Sequence, residues 1–228
     1  MHRGRTISVV IPCYNEEDGI RHVLEAMPSV VDEVVVVDNN STDRTGEVAR
    51  SLGARVVLEK RKGYGRAYQA GIPAATKEII VTLDGDGSYP PEEIPRLVDF
   101  LIENGFDFVS ASRFPLRSRG SMNFLNVVGN KVLTIATLLL FFRRIEDSQS
   151  GMWVFKREIY PRLRATHPGM AFSEELKIEA ILAKGVRFGE TRIDYRERIG
   201  EVKLNMWRDG FDNLFFLARK RLASRNSR

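Results

Sequence analysis

The sequence predicts an α/β fold in which a mostly parallel sheet is flanked by helices, with an amphipathic extension at the C-terminal end. Short apolar, β-rich segments alternate with helical segments through the first half of the chain, and this alternation is typical of a parallel sheet. Polar residues directly follow three of these apolar segments, where the ligand site of such a sheet lies. The chain has 228 residues, of which 43% are hydrophobic and 29% are charged, as expected for a globular α/β domain with a substantial core.

The first half contains five predicted strands, most of them apolar and rich in β-branched residues: 6–11, 33–37, 55–58, 78–83 and 107–111. Between them the sequence predicts four helices, over 16–26, 44–52, 64–75 and 90–102. Pro12 ends the first strand, Ser41 or Asp43 can cap the second helix, and Pro90 and Pro91 open the fourth. Strands joined through helices return to the sheet in the same direction, so these strands are expected to be parallel.

The second half follows a less regular pattern. Helices are predicted over 120–142 and 174–183, a strand over 152–155, and one or two strands within 187–195. No repeat, low-complexity segment or linker separates the two halves, so this half is expected to pack on the first as an extension. Its apolar run, residues 132–142, is too short to cross a bilayer and is interpreted as a core helix or an interfacial segment.

The few cysteines and histidines limit the disulfides and metal sites that the chain can form. Cys13 is the only cysteine, which excludes an internal disulfide and favours a reducing compartment. The three histidines, His2, His22 and His167, are scattered along the chain, so a histidine metal site is not expected. A strand begins within six residues of the first residue and no signal peptide is recognisable there, so a cytoplasmic location is predicted.

Residues 203–228 carry the excess positive charge of the chain. They contain seven Lys or Arg residues against Asp209 and Asp212, an excess of five that equals the net charge of the whole chain. Apolar residues recur there at spacings of three and four, which predicts an amphipathic helix. A basic amphipathic helix is typical of binding to a membrane surface, and a terminal helix docked on the core is the alternative. No nucleic-acid-binding module is recognisable, so no nucleic-acid partner is expected.

The most informative motif is residues 84–87 (DGDG), which follow the predicted strand 78–83. Gly85 and Gly87 allow the backbone to turn sharply, so the carboxylates of Asp84 and Asp86 arrive together at a strand end. Two adjacent carboxylates repel each other unless a cation lies between them, and Mg²⁺ prefers one or two carboxylates plus substrate phosphates. The motif therefore predicts a metal-bridged diphosphate site, with a polar turn that caps the strand as the alternative.

Two other predicted strands also end in polar residues. Pro12 and Tyr14 follow the first strand, and Asp38 follows the second. The carboxyl ends of parallel strands meet at one edge of a sheet, so these residues are expected to join Asp84 and Asp86 in one ligand site.

Four short motifs occur in order along the first half of the chain: residues 9–17 (VVIPCYNEE), 36–43 (VVDNNSTD), 62–65 (KGYG) and 84–87 (DGDG). These motifs resemble family 2 glycosyltransferases of the GT-A fold, and the similarity extends over nearly the whole chain, from residue 6 to about residue 215. In the second half three segments are similar to dolichol-phosphate mannosyltransferases and relatives that transfer hexoses to polyprenyl phosphates: 111–113 (ASR), 147–152 (DSQSGM) and 195–205 (YRERIGEVKLN). Each motif is short, but their order and spacing together are specific.

The resemblance implies roles for the matching residues. The nucleotide-sugar would be bound by residues at the strand ends and in the loops that follow: Pro12, Tyr14, Glu16, Asp38, Asn39, Lys62, Asp84 and Asp86. The metal, Mg²⁺ or Mn²⁺, would be held by Asp84, Asp86 and Ser88. The acceptor phosphate would be held by Arg113, Arg198 and Lys203, since charged side chains suit phosphate oxygens. The catalytic residues would be Asp86, Arg113 and Arg198.

Three residues depart from the usual pattern of this family. Asn39 stands where a second aspartate is common, Ser88 where mannosyltransferases often have a glutamine, and Val202 where a serine commonly precedes the lysine. These departures argue against mannose as the sugar and favour UDP-glucose or UDP-N-acetylglucosamine as the donor. The choice between a UDP-sugar and a GDP-sugar stays open. Glu174 and Glu175 are further candidates: either they face the acceptor, or they form a solvated helix start favoured by the helix dipole.

The resemblance thus implies an inverting transfer of a hexosyl group from a nucleoside-diphosphate sugar to a polyprenyl (dolichyl) phosphate, by a peripheral protein on the cytoplasmic face of a membrane. Residues 1–202 would form the GT-A domain, with 1–115 as the nucleotide-sugar half, 116–202 as the acceptor half and 203–228 as the basic helix. One alternative is a soluble transferase that acts on a sugar hydroxyl. Another is a non-catalytic nucleotide-sugar-binding module at a membrane surface, against which the intact pair of Asp84 and Asp86 argues. A membrane-anchored partner and a homo-oligomer both stay open.

Overall fold

The structure, a computed structural model, describes residues 1–116, 122–201, 203 and 206–226, together with their side chains except at 206–208 and 224–226. The departure at Val202 lies outside this part of the chain. The side chains of residues 206–208, within the predicted basic helix, lie outside it as well.

Seven strands form one sheet: β1 (Ile7–Cys13), β2 (Glu33–Asp38), β3 (Arg55–Leu58), β4 (Ile79–Thr82), β5 (Phe108–Ser112), β6 (Trp153–Lys156) and β7 (Phe188–Arg192). Their order across the sheet is β3-β2-β1-β4-β6-β5-β7. β1 is parallel to β2 and β4, β2 is parallel to β3, and β5 is parallel to β7. The mostly parallel sheet predicted from the alternating pattern is therefore confirmed.

β6 is the exception, because it runs antiparallel to both of its neighbours, β4 and β5. The chain enters β6 from the carboxyl edge of the sheet. There the Asp147 carboxylate accepts a hydrogen bond from the backbone N–H of Arg113, and Ser150 Oγ donates one to Ala111 O. A strand that begins at this edge must run towards the opposite edge. The alternation of strands and helices carries no information about this insertion.

Helices cover both faces of the sheet and extend beyond it: α1 (Glu17–Glu25), α2 (Thr45–Ser51), α3 (Tyr64–Ala74), α4 (Ile94–Glu103), α5 (Phe124–Phe141), α6 (Phe172–Leu182) and α7 (Met206–Asn226). Short 3-10 segments, Pro91–Glu93 and Arg157–Arg162, precede α4 and follow β6. At the start of α5 the side chain of Asn123 accepts a hydrogen bond from the N–H of Leu125 and caps the helix. The prediction begins this helix at residue 120, which lies outside the described part of the chain.

Two apolar cores lie on opposite faces of the sheet. Side chains alternate along β1, so that Val9 and Ile11 join one core while Val10 joins the other, as the two-residue period of a strand requires. Helices α1, α2 and α4 cover the first core, and α3 and α6 cover the second. The central strands are thus buried on both faces, and only their ends reach solvent.

A third, smaller apolar cluster joins the last helices of the chain: Leu133 and Phe141 of α5, Ile178 of α6 and Leu217 of α7. Lys220 of α7 adds ion pairs to Glu175 and Glu179 of α6, with distances from Nζ to the carboxylate oxygens of 2.8 and 2.6 Å. The C-terminal helix is therefore docked on the domain through its inner face. We call α5 and α7 together the helical layer.

α5 corrects one expectation from the sequence. The helix has 18 residues with a mean hydropathy of 1.7, of which 22% are buried, so by length and composition it could cross a bilayer. The apolar run 132–142 is shorter than the apolar helix because Asn130 and Lys131 stand before it, whereas the helix begins at Phe124. Asn130 and Thr137 bind the domain, since they donate hydrogen bonds to Asp147 and Glu174 at 2.9 and 2.6 Å.

Glu174 and Glu175 open α6 inside the protein, so the predicted solvated helix start is wrong. Both side chains are buried, because α5 and α7 lie over this end of α6. Glu175 is paired with Lys220, whereas Glu174 Oε2 has no hydrogen-bond partner among the described residues. Burial raises the pKa of Glu174 to about 7, since an apolar environment disfavours the charged form.

We predict that Glu174→Gln removes a pH-dependent loss of stability. The carboxyl of Glu174 keeps its proton up to about pH 7 in the folded state but releases it near pH 4.5 when unfolded. The stabilisation that the protonated Glu174 gives the folded state is therefore fully present below pH 4.5 and is lost as the pH rises through 7. Urea unfolding should show that Glu174→Gln recovers about 2 kcal/mol of the loss between pH 5 and pH 7.5. Glu25→Gln, at an exposed helix position, is the control, and an equal pH dependence in all three proteins would contradict the prediction.

Candidate active site

The carboxyl ends of β1, β2 and β4 lie side by side at one edge of the sheet. Pro12 and Cys13 end β1, where Cys13 pairs with Asp38, the last residue of β2. The backbone N–H of Asn39 donates to Cys13 O at 2.8 Å. Asp84 follows β4, which flanks β1 on its other side. The polar residues after these three strands therefore share one edge, as the sequence predicts.

Asp84 and Asp86 form a carboxylate pair at this edge. Asp84 Oδ1 accepts a hydrogen bond from Tyr64 OH at 3.2 Å. Asp86 Oδ1 accepts hydrogen bonds from the N–H and the Oγ of Ser88, at 3.0 and 2.6 Å. Desolvation, followed by the charge of Asp86, raises the pKa of Asp84 to about 7. The pair thus holds negative charge that a bound cation would stabilise.

The pair fits the divalent metal that the sequence predicts. Asp84 and Asp86 would supply two carboxylate ligands. Ser88 Oγ donates its hydrogen bond to Asp86, so its lone pairs would remain available to the metal. Among the described residues no group of three Asp, Glu, His or Cys side chains could enclose a metal ion. A metal here would therefore take further oxygens from a phosphorylated ligand, as Mg²⁺ commonly does.

The segment between β7 and α7 crosses the carboxylate pair, and we call residues 195–201 the strap. Two backbone hydrogen bonds fix it there. The N–H of Arg196 donates to Ser88 O at 2.9 Å, and the N–H of Ile199 donates to Asp86 O at 2.8 Å. The strap thereby brings its side chains over the ends of β1 and β4, which no sequence spacing could show.

Arg198 and Lys203 meet Glu16 at this edge. Arg198 lies 2.9 Å from a Glu16 carboxylate oxygen and 3.5 Å from Asp86 Oδ2. Lys203 Nζ lies 2.7 Å from the same oxygen of Glu16. Two cations that the resemblance assigns to the acceptor phosphate thus lie beside residues that it assigns to the nucleotide-sugar.

Asn39 binds the loop that follows β3 with its whole amide group. Its Nδ2 donates to Glu59 O and Arg61 O, both at 2.9 Å, and its Oδ1 accepts the N–H of Gly63 at 2.7 Å. An aspartate here would face two carbonyl oxygens with a carboxylate. The asparagine that departs from the family pattern therefore matches its surroundings, and its contacts position Lys62.

Lys62 and Tyr14 lie together beside the end of β2. The Nζ of Lys62 is 2.5 Å from Tyr14 OH and 4.3 Å from the ring centroid. Asp38 is held in its own turn, because its Oδ1 accepts the N–H of Ser41 at 2.9 Å. Lys62 is exposed and Tyr14 partly so, which leaves both able to contact a ligand.

Arg113 lies deeper and is paired with Asp147. Its Nε and Nη2 bind the two carboxylate oxygens at 2.7 and 2.8 Å, which is the bidentate geometry that suits this pair. Its guanidinium lies 5.4 Å from the ring centroid of Tyr195. Both side chains of the pair are buried, and the charge of Arg113 keeps the pKa of Asp147 well below its usual range despite its burial.

Asp147 begins a buried turn, residues 147–151, which we call the 147–151 turn. Lys177 of α6 is fully buried and donates to Asp147 O and Ser150 O, at 3.0 and 2.8 Å. The sequence analysis gave Lys177 no role, because a lysine in a helix is expected to face solvent. The sequence did indicate Asp147, because it is the first residue of the motif 147–152, which carries part of the resemblance.

The 147–151 turn also reaches the carboxylate pair. The N–H of Gly151 donates to Tyr89 OH at 2.7 Å. A Cβ at Gly151 would lie 2.5 Å from Tyr64 OH and 3.4 Å from the Asp84 carboxylate. The turn therefore links Arg113 to Asp84 within one connected site.

A model of glycosyl transferase family 2 matches residues 8–164 of the chain. This range includes the strands from β1, all but its first residue, to β6, together with the carboxylate pair and the 147–151 turn, but it ends before Lys177, the strap and Lys203. The match extends over more than half of the chain.

Individual relatives match over most of the chain. A dolichyl-phosphate hexose transferase of Haloferax volcanii is 37% identical over 207 residues, which are 90% of this chain and 89% of the relative. An uncharacterised glycosyltransferase of Mycobacterium tuberculosis is 46% identical over 197 residues, or 86% of this chain and 88% of the relative. A dolichol-phosphate mannosyltransferase of Pyrococcus furiosus is 28% identical, over 87% of this chain and 59% of the relative.

The fold is also similar to that of solved glycosyltransferases. Glucosyl-3-phosphoglycerate synthase of Mycobacterium tuberculosis, in complex with Mn²⁺, UDP-glucose and phosphoglyceric acid, superposes with a TM-score of 0.76 at 26% identity. The similarity covers 96% of this chain and 80% of that protein. The same enzyme has been solved with Mg²⁺ and UDP, with a TM-score of 0.74. These neighbours support a divalent metal cofactor.

We predict that Gly85→Ala destabilises the protein and that Cys13→Ala reverses the effect. A Cβ at Gly85 would lie 2.4 Å from Cys13 Sγ, whereas the next atoms, of Pro12 and Ile11, are at ordinary distances of 3.5 and 3.6 Å. Such overpacking costs roughly 1–3 kcal/mol, measurable by urea unfolding. The double variant should regain most of that loss.

Gly129→Ala is the matched control, because a Cβ there would meet no atom within 4 Å. A loss in the double variant as large as in Gly85→Ala would show that Cys13 is not the obstacle.

Proposed function

Because the chain belongs to glycosyl transferase family 2, we propose that it transfers a hexosyl group from a nucleoside-diphosphate sugar to a polyprenyl phosphate at a membrane surface. The observation that carries this proposal is the sheet edge where Asp84 and Asp86 lie with Arg198 and Lys203. A site with both signs of charge suits a diphosphate bound together with a divalent cation. The relatives named for dolichyl phosphate support a lipid acceptor.

The donor would bind across the ends of β1, β2 and β4. Negative charge grows on the leaving nucleoside diphosphate as the sugar–phosphate bond breaks, and a divalent cation held by Asp84 and Asp86 supplies electrostatic stabilisation of that charge. Arg198 and Lys203 would exchange Glu16 for phosphate oxygens, which bind such cations strongly. Tyr14 and Lys62 would line the base.

The acceptor phosphate needs no strong general base. Its second pKa lies near 6, so it is largely ionised at neutral pH and attacks the anomeric carbon directly. The bond from this carbon to the donor oxygen breaks as the bond to the acceptor oxygen forms, which inverts the configuration. Asp147 holds Nε and Nη2 of Arg113, so Nη1 would be the nitrogen that binds a phosphate oxygen.

The helical layer supplies the membrane contact. Exposed apolar side chains follow the outer side of both helices: Phe124, Leu125, Val128, Val132, Ile135, Leu138, Leu139 and, at the C-cap, Phe142 on α5, and Phe211, Leu214, Phe215 and Leu222 on α7. Arg219 and Arg221 lie over the exposed rings of Phe215 and Phe142, at 5.6 and 5.5 Å. An exposed apolar surface of this extent marks an interaction site, and its cations favour anionic lipid.

α5 turns apolar side chains to its outer side, where a helix on a water-soluble surface would have polar ones. Asn130, Thr134 and Thr137, at spacings of four and three, turn towards the domain and bind its polar groups. Most of the apolar residues of α5 face outwards, while Leu133 and Phe141 pack in the third apolar cluster. Such a helix is stable where its outer surroundings are apolar, so it would lie along the bilayer surface with its inner side held by the domain.

A small phosphorylated acceptor is the second candidate. The solved neighbour binds phosphoglyceric acid beside UDP-glucose, and this acceptor is soluble. The exposed apolar helical layer favours the lipid acceptor, because transfer to a soluble molecule gives no reason for it.

We predict that the purified protein transfers radiolabelled hexose from one of a panel of UDP- and GDP-sugars into a polyprenyl phosphate, with Mg²⁺ or Mn²⁺. Asp86→Asn should lower this transfer by about 100-fold or more, since it removes one of the two carboxylates proposed to hold the divalent cation. Asp18→Asn, at an exposed position of α1, is the matched control. Label in phosphoglyceric acid instead of lipid would favour the soluble acceptor, and binding of donor without any transfer would favour a binding module.

We also predict that the protein floats with vesicles that contain phosphatidylglycerol and does so less with pure phosphatidylcholine. Leu139→Glu and Phe215→Glu, at side chains that are 66% and 63% exposed, should each lower vesicle binding, because a charge on this face opposes contact with lipid. Leu52→Glu, at an exposed position outside the helical layer, should bind as the unaltered protein does. Equal loss in all three variants would contradict the assignment of this face.

A further inference from the structure

α7 has two faces with different surroundings. Its outer face carries part of the exposed apolar surface, including Phe215 and Leu222. On its inner face Asn213 and Leu217 are 4% and 0% exposed. Asn213 is therefore a buried polar side chain on the helix that faces the proposed lipid surface.

Asn213 contacts the 147–151 turn. Its Nδ2 donates to Gln149 Oε1 at 3.0 Å, and Gln149 Nε2 donates in turn to Ser148 Oγ at 3.2 Å. Asn213 Oδ1 has no hydrogen-bond partner among the described residues. A buried amide oxygen without a partner costs free energy, so an apolar residue would suit this position better if packing were its only role.

The turn is also held by the two helices next to α7. Thr134 of α5 lies 3.1 Å from Ser148 Oγ, and Ser173 and Lys177 of α6 both donate to Ser150 O at 2.8 Å. The same turn fixes Arg113 through the Asp147 carboxylate. The helices that form or support the proposed lipid-facing layer thus determine where the acceptor-side arginine lies.

We propose that Asn213 is a positioning residue that couples the lipid contact of α7 to the 147–151 turn, and through Asp147 to Arg113. This inference rests on the proposed function. Lipid on the outer face of α7 restricts the motion of the helix, and a restricted helix holds its inner contacts more firmly. The bilayer would then raise the activity of the site as well as supply the acceptor.

The test separates these two effects with an acceptor that needs no bilayer. Transfer to a short, water-soluble isoprenyl phosphate is measured with and without vesicles of phosphatidylglycerol and phosphatidylcholine that contain no acceptor. Vesicles should raise kcat/KM for this acceptor by about 5-fold, the lower end of typical couplings between sites, with little change in the KM of the donor. Asn213→Ala should float with vesicles as the unaltered protein does but show no increase.

Two further variants assign the effect to one hydrogen bond. Gln149→Ala should also abolish the increase, and the double variant should be no worse than either single one, since both remove the same interaction. Asp212→Asn, on the neighbouring exposed position of α7, should keep the full increase. An increase that persists in Asn213→Ala, or that disappears only because Asn213→Ala no longer binds vesicles, would overturn the proposal.

Amide hydrogen exchange of peptides that span the 147–151 turn gives a reading that does not depend on transfer. Vesicles should slow this exchange in the unaltered protein and leave it unchanged in Asn213→Ala. Slowed exchange without transfer to any acceptor would keep the coupling and contradict the proposed function. Unchanged exchange in the unaltered protein, with normal transfer to lipid, would contradict the coupling alone.

Discussion

The repulsion between two carboxylates at the end of β4 is the constraint on which the site depends. Asp84 and Asp86 are separated by Gly85, whose missing side chain lets the backbone lie against Cys13. Burial, followed by the charge of Asp86, raises the pKa of Asp84, so negative charge at this edge needs positive charge or hydrogen-bond donors nearby. Ser88 and Arg198 supply these within the protein. A metal-bound diphosphate would supply more, which is why this edge suits that class of ligand.

A second charged network lies behind the first and connects it to the helices. Arg113, Asp147 and Lys177 are all buried, and burial of charged groups costs free energy unless they are paired and hydrogen-bonded. Here each charge has its partners: the carboxylate binds the guanidinium, and the ammonium binds two carbonyl oxygens. The result is a turn of fixed shape rather than a gain in stability. That turn lies between the carboxylate pair and the helical layer, so the two parts of the molecule meet there.

The helical layer gives the domain an unusual surface. Its outer side is mainly apolar, which departs from the pattern expected in water. Its inner side combines the polar contacts of Asn130 and Thr137 with a buried apolar cluster. Lys220 and Leu217 hold α7 to α6 and α5, while Phe215 and Leu222 stay exposed. Contact with an apolar phase would remove these exposed side chains from water, and the proposed lipid acceptor would be presented from that same phase. With the proposed lipid acceptor, the chemistry of the site and the location of its substrate would be consistent with each other.

The sequence by itself determined the order of the strands and helices along the chain, the parallel sheet and the meeting of Pro12, Asp38 and Asp84 at one edge. These features follow from local periodicity and from the rule that parallel strands end together. Only the tertiary structure decided the antiparallel insertion of β6, the burial of Glu174 and Lys177, and the partners of Asn39 and Arg198. Each of these depends on contacts between segments far apart in the chain, and neither hydrophobic periodicity nor motif spacing records such contacts.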